Sequence, residues 1–213
     1  MTSRNLTRRA VLGAVALTSA LVLTACGGGG DGDGGAATHG AHGGHGASAT
    51  PDASAGAHNA QDVAFAQGMI PHHQQALEMA RLADGRASSP RVKDLAARIE
   101  KAQDPEIRTM TGWLKSWGED VPMAGMDHSQ HSGMSGMAGM MSEADMTALK
   151  KADGKDFDTR FLSLMVQHHQ GAVEMAATEK RKGRSGAAKR MADAIVTAQN
   201  AEIREMKGLL GTG

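Results

Sequence analysis

Phe65-x3-Met69-x2-His72-His73-Gln74-x-Ala76-x-Glu78-Met79-Ala80 recurs 96 residues later as Phe161-x3-Met165-x2-His168-His169-Gln170-x-Ala172-x-Glu174-Met175-Ala176. The offset persists downstream. Ile99, Gln103, Glu106, Ile107, Arg108, Met110 and Leu114 align with Ile195, Gln199, Glu202, Ile203, Arg204, Met206 and Leu210. Self-similarity of this kind marks one supersecondary unit written twice. Within each copy the apolar residues recur at three and four, the period of an amphipathic helix, and no alternating strand pattern of useful length occurs.

Each copy therefore predicts a hairpin of two long helices. In the first copy the helices span 62–83, with Asp62 as N-cap, and 91–117, ending near Gly118. The break between them falls at Asp84-Gly85 and Ser88-Ser89-Pro90. In the second copy helices are expected near 143–152 and 156–181, then a break over 182–186 and a last helix over 187–210. Pro71 and Pro105 fall inside helices and are expected to kink them, because the apolar register runs through both. Gln167 and Ala201 occupy the matching positions. A hairpin with a one-sided apolar stripe must bury it. Packing the two copies about a pseudo-two-fold axis predicts an all-α antiparallel four-helix bundle. Aromatic residues are 2% of the chain, so its core rests on Ala, Leu, Ile, Val and Met.

The flanking segments suggest a location. Residues 1–25 read as an export signal: Arg4, Arg8 and Arg9 precede an apolar run that ends at Ala25. Thr7-Arg8-Arg9-Ala10-Val11-Leu12 has the form of a twin-arginine signal. Leu23-Thr24-Ala25-Cys26 has the form of a bacterial lipobox, which predicts lipidation of Cys26, the single cysteine. The expected product is an extracytoplasmic lipoprotein of a bacterium, held to the cell membrane by its lipid and free of disulfides. Residues 26–59 form a Gly/His-rich tether and residues 60–212 the duplicated domain. Without Arg4, Arg8 and Arg9 the chain has 20 basic against 23 acidic residues, which gives no support for nucleic-acid binding.

On a helical wheel Phe65, Met69, Ala76 and Ala80 centre the buried face of the first helix. His73 lies about 40° to one side of Met69 and His72 about 60° to the other, with Met79 beyond it. Glu78 and Glu174 point away. Met165, His168, His169 and Met175 repeat the arrangement. On the second helix of each hairpin, Gln103 and Glu106, and likewise Gln199 and Glu202, fall within the apolar stripe that holds Met110 and Met206. A core-facing carboxylate is costly unless paired or bound to a cation.

Two readings follow. In one, the Glu and Gln side chains hydrogen-bond the buried histidines and fix the hairpin register, in a structural or interaction module without metal. In the other, Met69, His72, His73, Met79, Glu106 and Met110, with Met165, His168, His169, Met175, Glu202 and Met206, hold metal between helices, supported by Gln103 and Gln199. Imidazole with thioether suits copper, as Cu(I) or Cu(II). The tether adds His39, His42 and His45. The linker 119–142 adds Met123, Met126, His128, His131, Met134, Met137, Met140 and Met141, spacings suited to sequestering copper or silver. A third reading is a metal-dependent redox enzyme. No Glu has a His three residues later, and no His-Glu-x-x-His, phosphate loop or nucleophile elbow occurs. A binding protein rather than a catalyst is therefore expected.

The run Phe-x3-Met-x2-His-His-Gln-x-Ala-x2-Met-Ala, followed by Gln-x2-Glu-Ile-x2-Met, resembles the bacterial domain-of-unknown-function 305 family. The resemblance covers about residues 60–212 and both copies. It implies a ferritin-like fold and, for some members, copper binding and copper tolerance at the periplasm or cell surface. It carries the signature onto Met69, His72, His73, Met79, Gln103, Glu106 and Met110 and their second-copy counterparts.

Overall fold

The computed structural model of the chain describes residues 57–122 and 138–211. The expected export signal, Cys26, His39, His42 and His45, and the linker residues Met123, Met126, His128, His131, Met134 and Met137 lie outside the described residues. Five helices follow in order: α1 Ala60–Arg86, α2 Pro90–Trp117, α3 Glu143–Lys151, α4 Gly154–Lys182 and α5 Gly186–Leu210. The described residues contain no strand, only one isolated parallel bridge between Ala87 and Gly154.

Two local expectations are corrected. The first helix begins two residues earlier than expected, and its N-cap is Asn59 rather than Asp62. Asn59 Oδ1 accepts from the Gln61 and Asp62 amides, while Asp62 returns a bond to the Asn59 N–H (2.6 Å), completing a capping box. At its other end α1 runs through Asp84-Gly85 to Arg86. The Arg86 guanidinium holds that last turn by donating to the Ala152 carbonyl (3.4 Å) and to Asp153 Oδ1 (3.1 Å). Each helix runs unbroken through its internal proline, Pro71 in α1 and Pro105 in α2.

α1 packs on α2, α4 on α5, and α1 on α4, giving two hairpins joined through their first helices. α3 packs against α1 and α4. The buried side chains form two apolar clusters. One holds Phe65, Met69, Met110 and Leu114 of the first copy with Ala172, Ala176 and Ile195 of the second. The other holds Ala76, Ala80 and Ile99 with Phe161, Met165, Ile203 and Met206. Adding or subtracting 96 sends Phe65, Met69, Met110, Ala76, Ala80 and Ile99 into the opposite cluster. The bundle therefore has the pseudo-two-fold symmetry of its sequence. The start of α1 meets the end of α4, so neighbouring helices run antiparallel.

Two buried aspartates lock the copies together. Asp62 on α1 accepts from the backbone N–H groups of Arg184 (3.1 Å) and Ser185 (2.8 Å) in the α4–α5 turn. Its counterpart Asp158 on α4 accepts from the N–H groups of Ser88 (3.2 Å) and Ser89 (3.0 Å), and from the Ser88 hydroxyl, in the α1–α2 turn. Each hairpin thus caps the turn of the other. Glu179, fully buried, faces Asp62. Burial and the neighbouring Asp62 carboxyl push the Glu179 carboxyl up to about 8. As a carboxylate, Glu179 would face the Asp62 carboxylate with Gln61 as the donor beside it; as the neutral acid it can donate to Asp62. Burial alone would raise the Asp62 carboxyl. The bonds from Glu179 and from the Asn59, Ser185 and Arg184 amides outweigh it and hold Asp62 low.

Asp62→Ala and Asp158→Ala should each cost about 2–4 kcal/mol in urea unfolding, because each strands buried N–H groups. Asp156→Ala, which removes an exposed pair with Arg160, should cost under about 1 kcal/mol. Equal effects at all three positions would show that the turns are not held by these carboxylates. Glu179 is raised above its unfolded value, so the stability it contributes is present at low pH and is lost as pH rises through about 8. Glu179→Gln keeps a donor without the ionisation. It should flatten that alkaline loss in a comparison of urea midpoints at pH 6 and pH 9.

Candidate metal centre

Between the two apolar clusters lies a layer of four imidazoles. His72 and His73 come from α1, His168 and His169 from α4, and all four are buried to 1% exposure or less. The rings of His72 and His168 meet across the pseudo-two-fold axis with centroids 3.8 Å apart and planes tilted by 41°. His168 and His169 have centroids 6.4 Å apart. The duplication creates this layer: residues related by 96 meet at the axis, so a His in one copy faces the same His in the other.

The outer pair is anchored. Glu106 on α2 accepts from His73 Nε2 (2.8 Å), and Glu202 on α5 accepts from His169 Nε2 (2.7 Å). A carboxylate only accepts, so each Nε2 carries the proton and, in the neutral ring, Nδ1 is left with a lone pair. Both Nδ1 atoms are buried without a partner. The two glutamates are partly open, at 25% and 15% side-chain exposure. Gln103 and Gln199 are buried in the stripe as expected, and the amide oxygen of each lacks a donor.

The inner pair is not anchored. Both ring nitrogens of His72 and both of His168 lack a hydrogen bond of ordinary geometry. Burial, then the neighbouring His73, lower His72 to about 3, against the backbone of Ala138, which lies near enough to favour the protonated ring. Burial, then His72, His169 and His73, carry His168 well below its usual value. Both rings are neutral at physiological pH, with lone pairs that no proton contests.

The methionines are distributed around this layer. Met69 and Met110 are fully buried in one cluster, and Met79, Met165 and Met206 in the other. Met175, half-buried, packs against the first. Met141 is buried and Met140 half-buried where the linker rejoins the bundle. Glu78 and Glu174 are exposed, as the wheel requires. His58, the last histidine of the tether, stacks on Trp117 at 4.6 Å. It lies about 20 Å along the helix axis from His72 and takes no part in the layer. Among the described residues no three His, Cys, Asp or Glu side chains are placed to hold an ion among themselves. The inner rings, face to face at a tilt of 41°, leave their nitrogens without a shared partner. The layer therefore supplies donors, and needs a ring to turn or a thioether to join before it is a closed site.

The family model for the domain of unknown function DUF305 matches residues 62–210. The chain belongs to the DUF305 family. A DUF305 protein from Streptomyces coelicolor is 36% identical, over 71% of this chain and 91% of that one, with a TM-score of 0.62. A DUF305 fragment from Deinococcus radiodurans is 34% identical, over 72% of this chain and 97% of that one, also at 0.62. CopM in its Cu(II)-bound form is 36% identical, over 70% of this chain and 95% of that one, at 0.60. CopM has also been solved in Cu(I)-bound, Ag-bound and apo forms. No curated protein matches the chain.

Within the DUF305 signature, sequence reasoning placed the histidines and acids but missed three contributors. Asp62 and Asp158 are locks between copies, and Glu179 serves Asp62. A single local signal existed: Asp62 and Asp158 are themselves 96 apart.

The depressed inner rings make stability pH-dependent. Unfolded rings take protons near pH 6.5, while the folded ones do not until about 3 for His72. Their contribution is present above pH 6.5 and is lost as pH falls below it, by about 1.4 kcal/mol per pH unit for each ring. The urea midpoint should fall between pH 7 and pH 5, and fall less in His72→Leu/His168→Leu. Equal falls would mean that these rings do not titrate on unfolding.

Proposed function

We propose that this DUF305 protein is an extracytoplasmic metal-binding lipoprotein, anchored through Cys26, that sequesters or hands on copper and does no catalysis. The observation that carries the reading is the state of His72 and His168. Each buried polar atom left without a partner costs about 1–3 kcal/mol. An apolar pair at these positions would avoid that cost, whereas a soft or borderline cation would use it. His73 and His169 fit the same reading. A ligating imidazole commonly donates its other N–H to a carboxylate, which fixes the ring and raises its basicity. Glu106 and Glu202 are then the partners of the donors rather than donors themselves. Met69 and Met165, one turn before the histidines, are the nearest thioethers in sequence. The copper- and silver-bound forms of CopM support the choice of metal. The Met/His tract of the linker is assigned a second, looser binding role. The export signal supports the location.

The rival reading, a structural module, is favoured by the His73–Glu106 and His169–Glu202 bonds, which fix each hairpin's register. It accounts for the outer rings and leaves the inner ones unexplained. The double variant His72→Leu/His168→Leu separates the two. On the metal reading it removes bundle binding of Cu(I), measured by competition against a chromogenic chelator. It also raises the metal-free stability by about 1–3 kcal/mol, because unsatisfied polar atoms give way to apolar ones. A destabilised variant that keeps its full copper stoichiometry would establish the structural role instead.

A further inference from the structure

The described end of the chain that joins the two hairpins, Ala138–Met141, lies against the helices that carry the inner histidines. Gln75 Nε2 donates to the Met141 carbonyl (3.0 Å), and the Met141 N–H donates to Gln75 Oε1 (2.8 Å). Both bonds are buried. Just before them, Gly139 adopts a left-handed φ of +81° and lies with its backbone against α4. A Cβ at Gly139 would come within 2.8–2.9 Å of the Gln167 carbonyl, the Gly171 Cα and the His168 carbonyl. A Cβ at Gly171 would fall inside the Ala138 carbonyl. The backbone of Ala138 in turn approaches His72. Four residues, Ala138–Met141, thus touch α1 at His72 and Gln75, and α4 at Gln167, His168 and Gly171.

Gln75 and Gly171 are the same position of the repeat, 96 residues apart. The crossing chain requires opposite things of them. In the first copy it needs an amide long enough to grip Met141 from both sides. In the second it needs no side chain at all. The divergence of the two copies at this one position follows from the passage of the strap.

We propose that Ala138–Met141 is a gate over the His72–His168 pair, and that a metal ion reaches those imidazoles when this strap lifts from Gly171 and Gln75. This rests on the reading of His72 and His168 as metal donors. The strap is suited to such a role. Two hydrogen bonds, a close backbone contact and the buried Met141 side chain hold it, so local opening is cheaper than unfolding the bundle. The Met140 thioether, half-buried, is carried on the moving part where a soft ion can be met first, and lifting the strap would expose the Met141 thioether as well.

Gly171→Ala and Gln75→Leu release the strap by independent means. The first should strengthen α4 itself, since Ala is the better helix former, while its methyl displaces Ala138. Purified full-length protein is given Cu(I) from a chromogenic chelator, and the fraction of uptake that disappears in His72→Leu/His168→Leu is followed in time. Amide hydrogen exchange at residues 138–141 is measured alongside. Both release variants should speed exchange of the strap amides and speed that uptake roughly tenfold, the population change that one or two lost hydrogen bonds produce. Faster amide exchange with unchanged uptake would overturn the gate while leaving the metal site standing. Unchanged amide exchange in Gly171→Ala would overturn the assigned role of the Gly139–Gly171 contact. If the unaltered chain shows no uptake dependent on His72 and His168, the metal reading itself fails and takes the gate with it.

Discussion

The exclusion of water from four imidazoles at the symmetry axis is the constraint on which the rest of this molecule depends. A polar layer sandwiched between two apolar clusters has few stable arrangements. Sliding α1 by one turn against α2 would take His73 away from Glu106 and move Met69 or Ala76 into the polar level. The same slip between α4 and α5 would separate His169 from Glu202. The layer thus sets the register of both hairpins. The apolar clusters above and below keep it dry, and dryness keeps the inner rings neutral. Neutral, partnerless nitrogens are poor material for stability and good material for a cation. The same burial that costs folding energy supplies the donors.

The division of labour between outer and inner histidines follows from where each lies. His73 and His169 face the second helix of their own hairpin, where a glutamate on the stripe can reach them. His72 and His168 face each other across the axis. A residue at a two-fold axis meets its own counterpart rather than the second helix of its hairpin, where the glutamates lie. The two inner rings face each other at a tilt of 41° and do not satisfy each other's nitrogens at this geometry.

Much of this was legible in the sequence. The 96-residue offset specified the helix count, the pairing of copies and the faces carrying His73, His169, Glu106 and Glu202. These are periodic properties, and periodicity survives in a linear reading. What the sequence left open was the choice made by the inward carboxylates. A glutamate on a buried stripe reads the same whether an ion or a ring takes it, and here the ring does. The wheel likewise put His72 on the flank of the buried face without showing that His168 would fill the space opposite. Asp62 looked like an N-cap because its local context is that of a helix start. Its partners, Arg184 and Ser185, are more than 120 residues away. Copper-type chemistry was suggested by the paired His and Met residues of the helices and by the composition of the tether and linker, most of which lies outside the described residues.

Two departures from exact repetition are informative because each has a local cause. Asp158 draws on the Ser88 hydroxyl as well as on the turn amides. The matching residue beside Asp62 is Arg184, which has no hydroxyl to offer. At that end the missing donor is supplied from another direction: Ala83 of the first copy is Glu179 in the second, and its neutral carboxyl bonds Asp62. One lost O–H on the turn is replaced by one on the helix, and Glu179 must stay protonated for the replacement to work. Gln75 and Gly171 diverge for a different reason, because a single crossing chain cannot be two-fold symmetric. A duplicated bundle can keep its two halves identical only where nothing asymmetric touches them. Gln75/Gly171 and Ala83/Glu179 mark where the connecting chain, or a repair of its twin's contact, imposes a demand that one copy alone must meet.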